Sequence, residues 1–455
     1  MKKITARTVI CLILALLLAI GVGVFVIRWF TQANAWVSFS ANDHLYNNGV
    51  LKSGTVLDRD GLLLAQASDS GWSFNDSSSI RKATLHATGD AQGKIGTGAT
   101  NYFAGKLSGY NFITGARTLF SGGRRVYLTI DADLNQLAYD AMGSHKGCVA
   151  VYNYKTGAIL CMVSSPSYDP AYPPEISDED EAMQGAYINR FISSSFIPGS
   201  TFKLVTTVAA LETFDDAQLR TFTCNGSMDL DGFTIRCTKP HGEITMAQAL
   251  TVSCNCVFAQ LAVEMGPEVM EKYTKKAGLL DSYDINGIPT KPSSFDFRSG
   301  EVGELGWSGV GQGFDLVNPC ALMVYAGAIA NGGTAAKPQL IAHTNTKDDL
   351  RISIYLPHNT RRLLAADTAA TLKQMMLDNV TNNYGAGNFP GVRVGAKSGT
   401  AEDGGKNDNA WFVGFVQDEE HPLAFVVFLE GGGFGSSAAG SVASRVMQAA
   451  INAGY

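Results

Sequence analysis

Ile197-Pro198-Gly199-Ser200-Thr201-Phe202-Lys203 sets a serine and a lysine three residues apart, behind a Pro-Gly turn and at the head of an apolar run. Helical spacing of three brings both side chains to one face. A serine hydroxyl is a weak nucleophile until a base takes its proton, and a desolvated, neutral lysine can do that. The run from Phe202 to Leu211 is apolar on most sides, as in a helix buried inside a domain. Ser200 would then stand at or just before the helix N-terminus, where unpaired amides favour negative charge. Alone the pair says little, because a surface lysine near a serine is commonplace. Two further elements follow in order: Ser253-Cys254-Asn255 and Lys397-Ser398-Gly399-Thr400.

Acyl transfer needs a nucleophile, a base, a proton route to the leaving amine and donors for the oxyanion. Ser200 supplies the nucleophile. Lys203 is the candidate base, provided burial and Lys397 lower its pKa. Ser253 can shuttle a proton between Lys203 and the leaving nitrogen. If this segment is extended, Ser253 and Asn255 point one way and Cys254 the other. Asn255 would then bind a substrate amide or hold Lys203. Lys397 and Ser398 suit a substrate carboxylate, and Gly399 admits close approach of a ligand backbone. The backbone N–H groups of Ser200 and Thr400 would form the oxyanion hole.

Outward from these motifs, composition sets bounds. The 455 residues leave room for more than one domain, and a net charge of −6 gives no basic footprint for nucleic acid. Val9 to Ile27 carries no charge. About 20 apolar residues span a bilayer core, so residues 9–28 read as a transmembrane anchor after a short tail, 1–8. Lys2, Lys3 and Arg7 favour a cytoplasmic N-terminus. Ala33-Asn34-Ala35 offers small residues at signal-cleavage spacing, but the apolar run exceeds a typical secretory h-region.

Eight cysteines and seven histidines are spread along the chain. Cys148, Cys161 and Cys320 read as small buried hydrophobes. Cys224 and Cys237 flank the turn signal Asp231-Gly232, and a disulfide between them stays open. Cys254 and Cys256 match no zinc-ligand spacing, and the histidines form no cluster, so neither a metal nor a cofactor is expected.

Residues 36–144 read as an N-terminal non-catalytic module and linker, with short strand-like runs over 36–124, among them Gly54–Ala65, a strand with an Asp-Gly turn and a return. Asp131 or Asp133 could cap a helix carrying Leu134, Leu137, Ala138 and Met142. The main boundary is placed near residue 145, with a second domain over 145–455. Thr245 to Gln248 has capping-box form, and Asn318-Pro319 begins a helix expected to end near Ala330. Val392–Lys397, Ala410–Val416 and Leu423–Leu429 are strand-like, and Ser441–Ala453 is helical. Helices before antiparallel strands, with one helix closing the chain, argue α+β.

The three motifs together, in this order, resemble the penicillin-binding protein and serine β-lactamase superfamily. Outside the anchor the chain looks like a class B penicillin-binding protein of the A type, carried by GTVLDRDGLLLA (54–65), VYLTIDADLNQ (126–136), KTGAILCMVSSPSYDP (155–170) and AWFVGF (410–415). That resemblance implies an antiparallel sheet flanked by helices, with an all-helical lobe beside the reactive serine. It implies a peptidoglycan D,D-transpeptidase that acts on stem peptides ending in D-Ala-D-Ala and is trapped by β-lactams. It also implies a polytopic lipid II polymerase of the shape, elongation, division and sporulation family as partner. Asn318 and Cys320 replace the more usual threonine and leucine, and Ser398 replaces threonine. Rival readings are a D,D-carboxypeptidase, a membrane-bound serine β-lactamase, and a non-catalytic sensor or scaffold. The missing E-x-x-L-N element and the anchor weigh against the β-lactamase.

Overall fold

The computed structural model describes residues 2–37, 46–47, 50–109, 123–177, 179–298, 301–402, 404 and 407–455. Parts of the expected N-terminal module, 38–45, 48–49 and 110–122, lie outside the described residues.

One antiparallel sheet organises the larger half. Its strands lie side by side in the order Val394–Ala401, Asn409–Val416, Leu423–Leu429, Gly147–Asn153 and Ile159–Ser165. These strands read as nearly continuous apolar runs because both faces are covered. The pleat divides them. Trp411, Val413, Phe415, Val426 and Phe428 share one core with the helices Lys203–Thr213 and Pro319–Ala330. Phe412, Phe425, Val427, Val149 and Val151 share the other with Ala132–Met142 and the closing helix Ala438–Asn452. Asp131 caps the first of these, accepting from the Leu134 N–H at 2.8 Å. This is the α+β arrangement expected, with a large helical lobe on the first face.

A second sheet draws strands from both sides of residue 145. Its six strands run Arg351–Ile354, Ile341–Asn345, Arg125–Leu128, Gly54–Leu57, Leu63–Ser68, Gly71–Phe74. Two of its strands thus come from the far half of the chain. Helix Ala132–Met142, placed before the boundary, packs on the five-stranded sheet. A strand edge left open by one segment is closed by another distant in sequence, and no local signal announces that pairing. The hairpin at Gly54 forms as read, with the Asp58 carboxylate accepting from the Asp60 and Leu62 N–H groups.

Lys2–Val37 is one helix, and within it Arg7–Trp29 has a mean hydropathy of 3.2 with none of that window buried. By length and composition it fits a single-pass anchor.

Candidate active site

Ser200 lies in a single 3₁₀ turn, Gly199–Thr201, that runs into the helix Lys203–Thr213. Gly199 has φ 54°, a left-handed conformation that favours glycine. Its N–H donates to Gly311 O at 2.8 Å, and a Cβ there would sit 2.6 Å from Thr400 O. At Gly399 a Cβ would come within 2.8 Å of Pro198 O. The two glycines let the turn carrying Ser200 press directly on the strand carrying Lys397 to Thr400. That contact is why motifs two hundred residues apart share one site.

Ser253 is reached differently from the sequence expectation. It is not in an extended segment. Thr245 caps the helix Met246–Thr251 through a complete capping box, and the chain then turns sharply, with Ser253 at φ 55° and Cys254 as N-cap of Asn255–Lys276. The turn still separates the side chains as expected. Ser253 and Asn255 face the lysines, and Cys254 faces away.

Lys203 and Lys397 are both fully buried. The Lys203 Nζ donates to Ser253 O at 2.8 Å and Asn255 Oδ1 at 2.7 Å, and lies 3.2 Å from Ser253 Oγ. The Lys397 Nζ lies 3.1 Å from the same Oγ and donates to Ser398 O at 3.0 Å. One hydroxyl therefore sits between two amines. Burial, and then the neighbouring Lys397, hold the Lys203 amine well below the usual lysine range. Burial brings Lys397 down to about 7. A neutral Lys203 has two N–H bonds, and Ser253 O and Asn255 Oδ1 engage both. Its lone pair is then left for a hydroxyl proton.

Of the two roles expected of Asn255, the structure displays the second. Its Oδ1 accepts from Lys203 and its Nδ2 donates to Arg236 O at 2.7 Å, so both ends are engaged within the protein.

Ser200, Ser253, Asn255, Ser398 and Thr400 line a cleft of about 940 Å³ walled by Phe233, Trp307, Phe314 and Phe434. Lys397 is not among its lining residues. Ser398 and Thr400 line the cleft, and the Lys397 amine reaches the Ser253 hydroxyl instead.

Sequence reasoning missed Tyr384. Its hydroxyl accepts from the Ser398 N–H at 2.9 Å and lies 2.8 Å from Ser398 Oγ. It missed Asp315 too, a cleft carboxyl that burial pushes up to about 7. Neither lies in a recognisable local pattern. The cysteines, scattered in sequence, are brought together. Cys224, Cys237, Cys254 and His241 converge, with Cys224 and Cys237 sulfurs 3.7 Å apart and unbonded.

Residues 147–448 match the penicillin binding protein transpeptidase domain. The chain belongs to that family. It is a serine acyltransferase, and the anchor precedes its catalytic domain. It is 31% identical over 365 residues to peptidoglycan D,D-transpeptidase PbpA of Mycobacterium tuberculosis, covering 73% of this chain and 72% of the relative. Among solved structures it resembles penicillin-binding protein A from M. tuberculosis in its ceftriaxone acyl-enzyme complex, with a TM-score of 0.74 and 25% identity over 88% of this chain and 98% of the other. The D,D-transpeptidase domain of a peptidoglycan glycosyltransferase from Eggerthella lenta matches equally, with a TM-score of 0.74, 25% identity and the same coverage.

Proposed function

We propose that this penicillin-binding transpeptidase cross-links peptidoglycan stem peptides through an acyl-enzyme on Ser200. The observation that carries the reading is the Ser253 hydroxyl held between two buried lysine amines, beside the turn that bears Ser200.

Lys203 takes the Ser200 proton as Oγ attacks the penultimate D-alanine carbonyl. The resulting oxyanion is met by the backbone N–H groups of Ser200 and Thr400, and loss of one such donor costs roughly 10²–10³ in turnover. Ser253 relays the proton from Lys203 to the departing nitrogen, and the C–N bond breaks with release of the terminal D-alanine. An amine of a neighbouring stem then attacks the ester, gives up its proton by the same relay in reverse, and restores Ser200. Asn255 keeps the Lys203 nitrogen aimed. Ser398 and Thr400 hydrogen-bond the donor carboxylate over Gly399, with Lys397 supplying positive charge behind them. β-Lactams present the same acyl and carboxylate groups and stop at the ester.

The basic residues Lys2, Lys3 and Arg7 orient the anchor with its N-terminus in the cytoplasm and the catalytic domain outside. A polytopic lipid II polymerase of the shape, elongation, division and sporulation family is the partner that would supply glycan strands, contacted through the anchor and the N-terminal sheet.

Incubating the full chain with labelled penicillin, mapping the adduct and then adding a stem-peptide donor with an amine acceptor tests the reading. A long-lived adduct on Ser200 and a cross-linked product are expected. Rapid penicillin turnover would show a β-lactamase, and release of D-alanine without cross-linking would show a carboxypeptidase.

A further inference from the structure

Residues 221–245 form two small ribbons, Thr221–Cys224 against Gly242–Thr245 and Ser227–Leu230 against Phe233–Arg236. Two-stranded ribbons are marginal on their own. This pair has little core, since only Phe222, Cys224, Ile235 and Ile244 among its strand residues are buried and apolar. Yet it builds a wall of the active-site cleft, with Phe233, Thr234 and Arg236 facing it. Partly buried Met228 and Leu230 and the Asn255 Nδ2 to Arg236 O bond add to that thin core.

At their junction four groups from three separate stretches meet. The Cys237 Sγ lies 3.7 Å from Cys224 Sγ and 3.6 Å from Cys254 Sγ, and Cys224 Sγ lies 3.4 Å from His241 Nδ1. All four ligand atoms fall within 4.8 Å of one another. With Zn–S of ~2.3 Å and Zn–N of ~2.0–2.1 Å, a tetrahedral site has S···S edges near ~3.8 Å and S···N edges near ~3.6 Å. The separations approach those edges and exceed any bonded sulfur pair. The surroundings also suit a thiolate. The Cys256 N–H points at Cys237 Sγ from 3.4 Å, the Cys256 Sγ lies 3.5 Å from it, and Cys237 N–H donates to Gly226 O, closing the loop around the sulfur.

We propose that Cys224, Cys237, His241 and Cys254 bind one zinc ion, which ties the ribbons to the Ser253-Cys254-Asn255 turn. Three thiolates and one imidazole in a tetrahedron favour zinc over harder divalent cations. Four protein ligands close the coordination sphere, so the metal is a structural staple, as small modules with weak cores require. It takes no part in acyl transfer. Its consequence for the reaction is positional. Cys254 adjoins Ser253 and Asn255, and Arg236 O, which anchors Asn255, adjoins Cys237.

The test uses the full chain purified in detergent, with metals counted by mass spectrometry. One zinc per chain is expected, retained in Cys11→Ser and lost in Cys237→Ser and His241→Ala. His241→Cys should recover it, since four thiolates also bind zinc. Cobalt substitution should give tetrahedral d–d bands with a thiolate charge-transfer band. A strong chelator should lower the melting temperature and, on the Ser200 reading, slow penicillin acylation severalfold. Metal content does not depend on that reading, so the two can fail separately. A disulfide among these cysteines, a metal-free chain with freely titrating thiols, a different bound metal, or full zinc in both His241→Ala and Cys237→Ser would overturn the proposal.

Discussion

Ser253 and Cys254 are neighbours in sequence, yet their side chains serve unlike surroundings. On one side two buried amines converge on the Ser253 hydroxyl, each held by hydrogen bonds. On the other, the Cys224, Cys237, Cys254 and Cys256 sulfurs crowd together beside the His241 imidazole. On the proposed reading the lysine side carries groups whose protonation changes during the reaction cycle, so its contacts break and re-form. The sulfur side is built from groups that do best when fixed. The difference teaches that one turn can carry both a mobile proton and a rigid anchor, because successive side chains leave it in opposite directions. Substitutions on the lysine side should therefore act on rate first. Those on the sulfur side should act on stability and on rate together.

The sharpest break of that comparison is Ser200→Ala. It removes one half-buried hydroxyl at a helix start and nothing that packs, so covalent penicillin labelling should vanish while the melting temperature stays unchanged. Labelling that persists on another serine would remove Ser200 from the lysine side altogether.

Lys203→Ala comes next. Loss of a positioned acid–base group typically costs ~10²–10⁴ in rate, and stopped-flow acylation should show a fall of that order. It also strips the partner from Asn255 Oδ1 and Ser253 O. A buried acceptor without a donor costs about 1–3 kcal/mol, against which relief of a buried amine works in the opposite sense. The stability change should accordingly be small beside the kinetic one. A large unfolding effect with near-normal acylation per folded molecule would reverse the assignment of the two sides.

Lys397→Met sharpens the electrostatics. Burial lowers the Lys203 pKa most, and the neighbouring Lys397 lowers it further. A neutral side chain at 397 removes the depressing charge, so the Lys203 pKa should rise and less of the amine be neutral near pH 7. Acylation should thus lose more at pH 7 than at pH 9, and the acid limb of the profile should move upward. An acid limb that stays in place, with a uniform loss, would show that Lys397 binds without tuning its neighbour.

Much of this was legible in the sequence, for reasons that differ by element. The strand Asn409–Val416 and the helix starting at Asn318-Pro319 carry their signals locally, as an apolar run and a cap. Ser200 with Lys203 is legible because helical spacing turns three residues into one face. Ser253 was read in an extended segment and lies instead in a turn with φ 55°, and both backbones separate neighbouring side chains. What the sequence did not show is that Ile341–Asn345 joins a sheet begun at Gly54, a pairing fixed by tertiary packing alone. The convergence of the cysteines was hidden for the same reason. Cys224, Cys237, His241 and Cys254 are brought together by two ribbons folding back on themselves, and spacing along the chain does not encode that return.

Tyr384→Phe should give the smallest effect and the most specific one. The ring meets Phe412 edge-on at a centroid distance of 5.1 Å, and phenylalanine keeps that packing. Only the oxygen goes, and with it the acceptor for the Ser398 N–H and the neighbour of Ser398 Oγ. A single hydrogen bond is worth roughly 0.5–1.5 kcal/mol net, which converts to a loss of about two- to twelvefold. Ser398 lines the cleft where the substrate carboxylate is proposed to bind, and only its backbone oxygen, not its hydroxyl, shares the Lys397 amine with Ser253. The loss should fall on the concentration of penicillin needed for half-maximal acylation and leave the limiting rate alone. A fall in the limiting rate with unchanged half-saturation would mean that Ser398 takes part in proton transfer. The lysine side would then extend further along the strand than the Ser253 contacts alone indicate.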